Sequence, residues 1–142
     1  MTVLVAADTG AVDHVIPIGA LPHGCVPDGI VERHFVGAND AHIEAYGGCD
    51  TMMSTREGPM ACKYQVADVA RTLHSVSRTT GPADGPGNFD VIFNNRLGAV
   101  VPAGIVDKIL EKIKPILQYD RRGGLYCAEV KLLSFPRPAL KQ

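Results

Sequence analysis

Tyr64-Gln65-Val66-Ala67-Asp68-Val69-Ala70-Arg71-Thr72-Leu73-His74-Ser75-Val76-Ser77-Arg78 sets Val66, Val69, Ala70, Leu73 and Val76 at the spacing of one helical face. That spacing predicts a helix over residues 64–78. Asp68 near its start and Arg78 at its end suit the helix dipole. A second helix is expected over residues 102–117. There Ile105, Val106, Ile109, Leu110, Ile113, Ile116 and Leu117 form an apolar stripe, with Asp107, Lys108, Glu111, Lys112 and Lys114 opposite it. Pro102 suits the first turn. Pro115 removes the backbone bond to the Glu111 carbonyl and should kink or end this helix.

The remaining segments read as strands and turns. Residues 2–7 and 12–18 are apolar strand candidates, separated by the turn signal Asp8-Thr9-Gly10. A Pro/Gly-rich loop over residues 17–29 carries His23 and Cys25. Residues 29–36 and 41–46 form a hairpin candidate around Gly37-Ala38-Asn39-Asp40, which Gly47-Gly48 ends. Residues 49–60 read as irregular and methionine-rich. Residues 79–88 form a loop, with glycines and prolines preventing regular structure. Residues 89–93 form a short strand, and Val100-Val101 belong to another. Arg121-Arg122-Gly123-Gly124 is a turn, residues 125–135 a long last strand, and Pro136 and Pro138 an exposed tail. Two amphipathic helices cannot bury their stripes on each other alone while five or more strands remain. The expectation is therefore one α+β domain over residues 1–142: a largely antiparallel or mixed β-sheet covered on one face by two amphipathic helices.

Composition excludes several functional classes. With a net charge of −1 there is no global field to attract nucleic acid or anionic lipid. No run of about 18 apolar residues suggests a membrane span. The start lacks a basic region and meets Asp8 and Asp13 early, so it does not read as a signal peptide, and a cytoplasmic location is expected. Cys25, Cys49, Cys62 and Cys127 include no C-x-x-C pair and read as reduced, mostly buried thiols; a zinc site from the first three is only weakly signalled. Edge strands together with Met52, Met53 and Met60 suggest a covered apolar patch, hence a homo-oligomer.

Acid–base chemistry is densest in residues 32–50. If Val36 opposes His42 in the hairpin, then His34 opposes Glu44 and Glu32 opposes Tyr46, and these residues share one polar face. Slipping by one residue sends His34 to the other face. The first register is preferred for its consistent polarity. A histidine beside a carboxylate is a general-base arrangement, so His34 and His42 are the base candidates and Glu44 the orienting group. Arg33, Tyr46, Arg56, Asn95 and Arg121 are the substrate-binding candidates. The plain alternative is a solvent-facing ion pair worth roughly 0.2–1 kcal/mol. His34, His42 and Glu44 also form a usable divalent-metal set, although no metal or cofactor is expected. Three further features have both a bland and a functional reading. Arg121-Arg122-Gly123-Gly124 could present donors to an anion. Arg71, His74 and Arg78 would share a helical face suited to phosphate. Cys49 is the best nucleophile candidate, but an inert buried thiol is the commoner case. The loop over residues 79–88 is long enough to act as a lid. These features suggest a small cytosolic enzyme that acts on a polar, anionic small metabolite by His/Glu acid–base chemistry, of isomerase, lyase or hydrolase type. The alternative is a non-catalytic oligomeric ligand-binding or assembly module.

Overall fold

The computed structural model describes residues 2–36 and 40–135. Part of the expected hairpin turn (Gly37, Ala38 and Asn39) and the Pro136 and Pro138 tail lie outside the described residues. A five-stranded mixed sheet forms the centre. Its strands are β1 (Val5–Asp8), β2 (Val15–Ile16), β5 (Ala45–Thr55), β6 (Gly58–Ala67) and β7 (Thr72–Ser75), in the order β1-β7-β2-β6-β5. β1 runs parallel to β7 and β2 parallel to β6, while β5 and β6 form a long antiparallel hairpin. Among the described residues there are three further, two-stranded sheets: β3 (Phe35–Val36) with β4 (His42–Ile43), β8 (Phe89–Phe93) with β9 (Gly98–Pro102), and β10 (Asp120–Arg122) with β11 (Leu125–Cys127). The helices are short: α1 (Val76–Thr80) and α2 (Ile105–Lys112). Among the described residues no helix is long and apolar enough to cross a membrane.

The core lies on the β5–β6–β2 side. Ile16, Cys49, Cys62, Tyr64 and Val66 form one buried cluster, and Leu21, Cys25 and Met53 pack against it. β6 makes this cluster because it is paired on both edges, by β5 and β2. Its last four residues, Tyr64 to Ala67, are all buried. A strand covered on both faces loses the alternation that marks a half-exposed strand.

That burial corrects the helix expected over residues 64–78. The segment is the end of β6, a link at residues 68–71, β7, and then five residues of α1. Its apolar spacing fits one helical face but equally fits a buried strand followed by another. Pairing with β5, β2 and β1 decides in favour of strands. The second helix also differs from the expectation. Pro102 ends β9 opposite Phe89 instead of opening a helix. α2 stops at Lys112, with Ile113 already extended at φ −127° and ψ 125°. Pro115 explains the early stop, because it lacks an N–H and disfavours helical backbone in the residue before it. No residue of α2 is buried. It packs against β8, which lies outside the five-stranded sheet. The expected sheet covered by two amphipathic helices is thus a strand-rich molecule with two short helices at its side.

Residues 49–60, expected to be irregular, instead form most of the β5–β6 hairpin, turning at Arg56-Glu57. Gly47 and Gly48 do not end a strand. They lie inside β5 at a bulge, where the segment at Asp28 docks against them. A Cβ on Gly47 would sit 2.3 Å from Asp28 Oδ1 and 2.6 Å from the Gly29 nitrogen. Only glycine allows that approach, and its φ of 107° also requires it. The last strand is likewise shorter than expected, ending at Cys127.

The two hydrophobic segments should respond differently to truncation. Val66→Ala, at a fully buried position, should cost about 2 kcal/mol in urea unfolding. Ile109→Ala, at a position 43% exposed, should cost less than about 1 kcal/mol. The reverse ranking would place the core on α2.

Candidate functional site

Strand register assembles a row of ionisable rings that is not visible along the chain. Val15 opposes Gln65 on β6 and Leu73 on β7. One residue back, His14 therefore lies between Tyr64 and His74 on the same face. The His14 and His74 ring centroids are 4.9 Å apart, those of Tyr64 and His74 5.6 Å, and those of His14 and Tyr64 6.0 Å. The Gln65 N–H donates to the His14 carbonyl at 2.8 Å and fixes the backbone there. The Ser75 N–H donates to His14 Nδ1 at 3.0 Å. With that lone pair occupied, a neutral His14 carries its proton on Nε2. Burial, reinforced by the charges of His74 and Arg78, lowers the His14 pKa to about 4 against the opposing influence of Asp13. Burial also lowers His74 and raises the Tyr64 phenol. Tyr64 therefore keeps its proton, and its hydroxyl is hydrogen-bonded to His74 Nε2, 2.5 Å away. Both imidazoles are neutral near pH 7.

A cluster of arginines lies beside this row. Asp13, only 7% exposed, takes Arg33 Nε at 2.7 Å on Oδ2 and Arg78 NH1 at 3.7 Å on Oδ1. Arg78 is placed by the start of α1: the Ser75 hydroxyl caps the helix, accepting from the Arg78 N–H at 3.1 Å. Arg121 arrives from the β10–β11 hairpin. Its Nε donates to the Gly123 carbonyl at 2.6 Å and its NH1 to the Gly81 carbonyl at 2.8 Å, and its guanidinium lies 5.5 Å from the Tyr126 ring centroid. The hairpin seats closely enough that a Cβ on Gly124 would be 2.4 Å from Val12 Cγ1. Arg33, Arg78, Arg121 and Asn88 line a cleft of about 430 Å³. Arg78 also borders a second cavity of about 670 Å³, whose lining includes His14, Cys25, Asp50 and Lys63.

The residues expected from sequence are divided between this site and the surface. Val36 opposes His42, the register preferred from the polar pattern. Among the described residues only two pairs form, however, and His34 and Glu44 lie beyond them. His42 Nε2 and Glu44 Oε2 are 3.5 Å apart, with side chains 68% and 61% exposed, and His34 is exposed as well. Tyr46 donates to Asp68 Oδ1 at 2.9 Å. Arg56 borders a separate cavity with Met53 and Met60, and Asn95 is exposed in the β8–β9 turn. Of the expected binding residues, Arg33 and Arg121 come together in the cleft. Cys49 is buried, and burial raises its thiol pKa, which makes it a poor nucleophile. Among the described residues no three His, Cys, Asp or Glu side chains converge as a metal site. Sequence reasoning missed Asp13, His14 and Tyr64, and it had placed His74 on a helix, whereas His74 lies in β7; Arg78 does lie on a helix, α1. One signal was available: Asp13-His14 is a polar pair inside the otherwise apolar run of residues 12–18.

No protein-family model matches the chain, and neither a curated protein nor a solved structure does.

The neutral imidazoles make stability depend on pH. Unfolded His14 titrates near 6.5 and folded His14 near 4, so the unfolded chain binds the extra proton between those values. The contribution is complete above pH 6.5 and is lost as pH falls towards 4. His74 acts in the same direction. The urea midpoint should fall across this window, and His14→Gln should flatten the fall; an unchanged slope in that variant would show His14 to be solvated.

Proposed function

We propose that the chain is a small enzyme of isomerase or lyase type that removes a proton next to the carbonyl of an anionic metabolite. The reading rests on one juxtaposition: neutral His14, with its proton on Nε2, beside Arg78, which borders both the arginine cleft and the larger cavity. The arginines anchor the anionic end of the substrate. In the larger cavity, Asp50 is the lining carboxylate. It takes the C–H proton, and the electron pair of that bond moves onto the carbonyl oxygen. His14 Nε2–H donates to the developing oxyanion, and a neutral imidazole suits this role because it need not lose a charge. Reprotonation at another atom completes an isomerisation, and departure of a leaving group completes an elimination. The reading keeps the acid–base character expected from sequence and the binding roles of Arg33 and Arg121. It moves the acid–base groups from the exposed His42–Glu44 pair to the His14 cavity. It also keeps the cytosolic setting, where Cys25, Cys49, Cys62 and Cys127 would remain the free thiols seen here.

Deuterium exchange tests this reading. Small 2-oxo and 3-oxo acids are incubated with the protein in deuterium oxide and followed by proton NMR. Asp50→Asn should abolish exchange, His14→Gln should slow it at least about tenfold, a barrier change of about 1.4 kcal/mol, and His42→Ala should leave it unchanged. Loss of exchange in His42→Ala with His14→Gln unaffected would return the site to the hairpin.

A second reading, a homo-oligomeric module, is favoured by surface area. The chain exposes 11200 Å², whereas a compact monomer of its mass, 15.1 kDa, exposes about 7,100 Å². The excess includes Phe93, Leu97, Val100 and the α2 stripe. Stable interfaces bury roughly 1,600 Å² in total, so the excess is ample for self-association. Light scattering should give a multiple of the chain mass at micromolar concentration; the mass of one chain would end this reading.

A further inference from the structure

From the charges around the arginine cleft, we infer that its ligand is a compact dianion, with two negative charges carried on oxygens of one small molecule. The inference rests on the anchoring role proposed above and specifies what is anchored.

Three guanidinium groups, of Arg33, Arg78 and Arg121, line a cleft of about 430 Å³. Asp13 contacts two of them and supplies one negative charge. Arg121 makes no ion pair among the described residues. Its hydrogen bonds run to the Gly81 and Gly123 carbonyls and, at 3.4 Å, to Thr80 Oγ1, all neutral acceptors. Those bonds hold the guanidinium in one place without cancelling its charge, so the ordering cost of a binding arginine is met before a ligand arrives. His14, neutral beside Arg78, adds no charge. Three positive charges against one negative leave two to be balanced. A monoanion leaves one uncompensated in a concave, partly desolvated space, whereas a dianion balances both. The Asn88 side chain adds a neutral donor to the wall. The volume suits a small metabolite rather than a polymer. A phosphomonoester and a dicarboxylate share this chemistry.

Calorimetric titration tests the inference, with inorganic phosphate, succinate and acetate compared at constant ionic strength on the full chain. Phosphate, succinate or both should bind at least tenfold more tightly than acetate. Phosphate alone would identify a phosphoryl ligand, and succinate alone a dicarboxylate. Arg121→Gln, checked by circular dichroism, should weaken dianion binding at least tenfold, and Arg121→Lys should recover part of it. Acetate binding as tightly as the dianions, no binding of either dianion, or unchanged binding in Arg121→Gln would each overturn the inference. The comparison of anions on the unmutated chain decides the matter if Arg121→Gln fails to fold. Dianion binding without deuterium exchange would remove the catalytic reading and leave this one standing. Exchange without dianion binding would do the opposite.

Discussion

Ser75 is fully buried and joins three segments that otherwise only pass near one another. Its N–H holds the His14 ring. Its hydroxyl donates to the Ala11 carbonyl at 2.6 Å and accepts from the Arg78 N–H. One residue therefore ties the β1–β2 connection to the end of β7 and starts α1. The His14 tautomer, the reach of Arg78 and the position of Asp13 all follow from that junction. A buried serine with its N–H and hydroxyl both bonded costs little, whereas each group left unpaired would cost about 1–3 kcal/mol. The junction is thus strongly specified.

Burial acts in opposite ways on the two halves of the candidate site. In the ring row it removes charge: His14 and His74 are held neutral, and Tyr64 keeps its proton. In the arginine cleft charge persists, because a guanidinium does not lose its proton in proteins. Arg33 and Arg78 keep their side chains about half exposed while reaching a nearly buried carboxylate. A neutral hydrogen-bond donor beside a fixed positive field is an arrangement in which orientation and charge stabilisation come from different residues.

The outer parts of the molecule are built differently. The β8–β9 and β10–β11 pairs are separate two-stranded sheets, and such pairs are marginal alone. β10–β11 is held by Tyr126, whose hydroxyl lies 2.7 Å from Thr80 Oγ1, and by the fit of Gly124 against Val12. β8 is held by α1 and α2. An Asp90 carboxylate oxygen accepts from the Val106 N–H at 2.8 Å, in the first turn of α2, although no side chain caps that helix at Gly104.

By itself the sequence determined the local features. The register preferred from the polar alternation, with Val36 opposite His42, is the one that the described pairs adopt; slipping by one residue would move each side chain to the other face. Residues 89–93 formed β8; of the loop expected over residues 79–88, Gly81 to Asn88 formed it while Thr79 and Thr80 belong to α1; and of the turn expected over residues 121–124, Gly123-Gly124 formed it while Arg121 and Arg122 belong to β10. Arg33 and Arg121 were legible as candidate anion donors, but not as neighbours. Tertiary structure decided the rest. Residues 64–78 became strands because β6 is buried on both faces, and burial on both sides erases the two-residue period that distinguishes a strand from a helix. Gly47-Gly48 read as a break because the sequence does not show that Asp28 packs against them. His14, Tyr64 and His74 meet only because β2 lies between β6 and β7. A ring row across three strands depends on pairing partners as far as 60 positions apart, and periodicity along one segment carries no information about that distance.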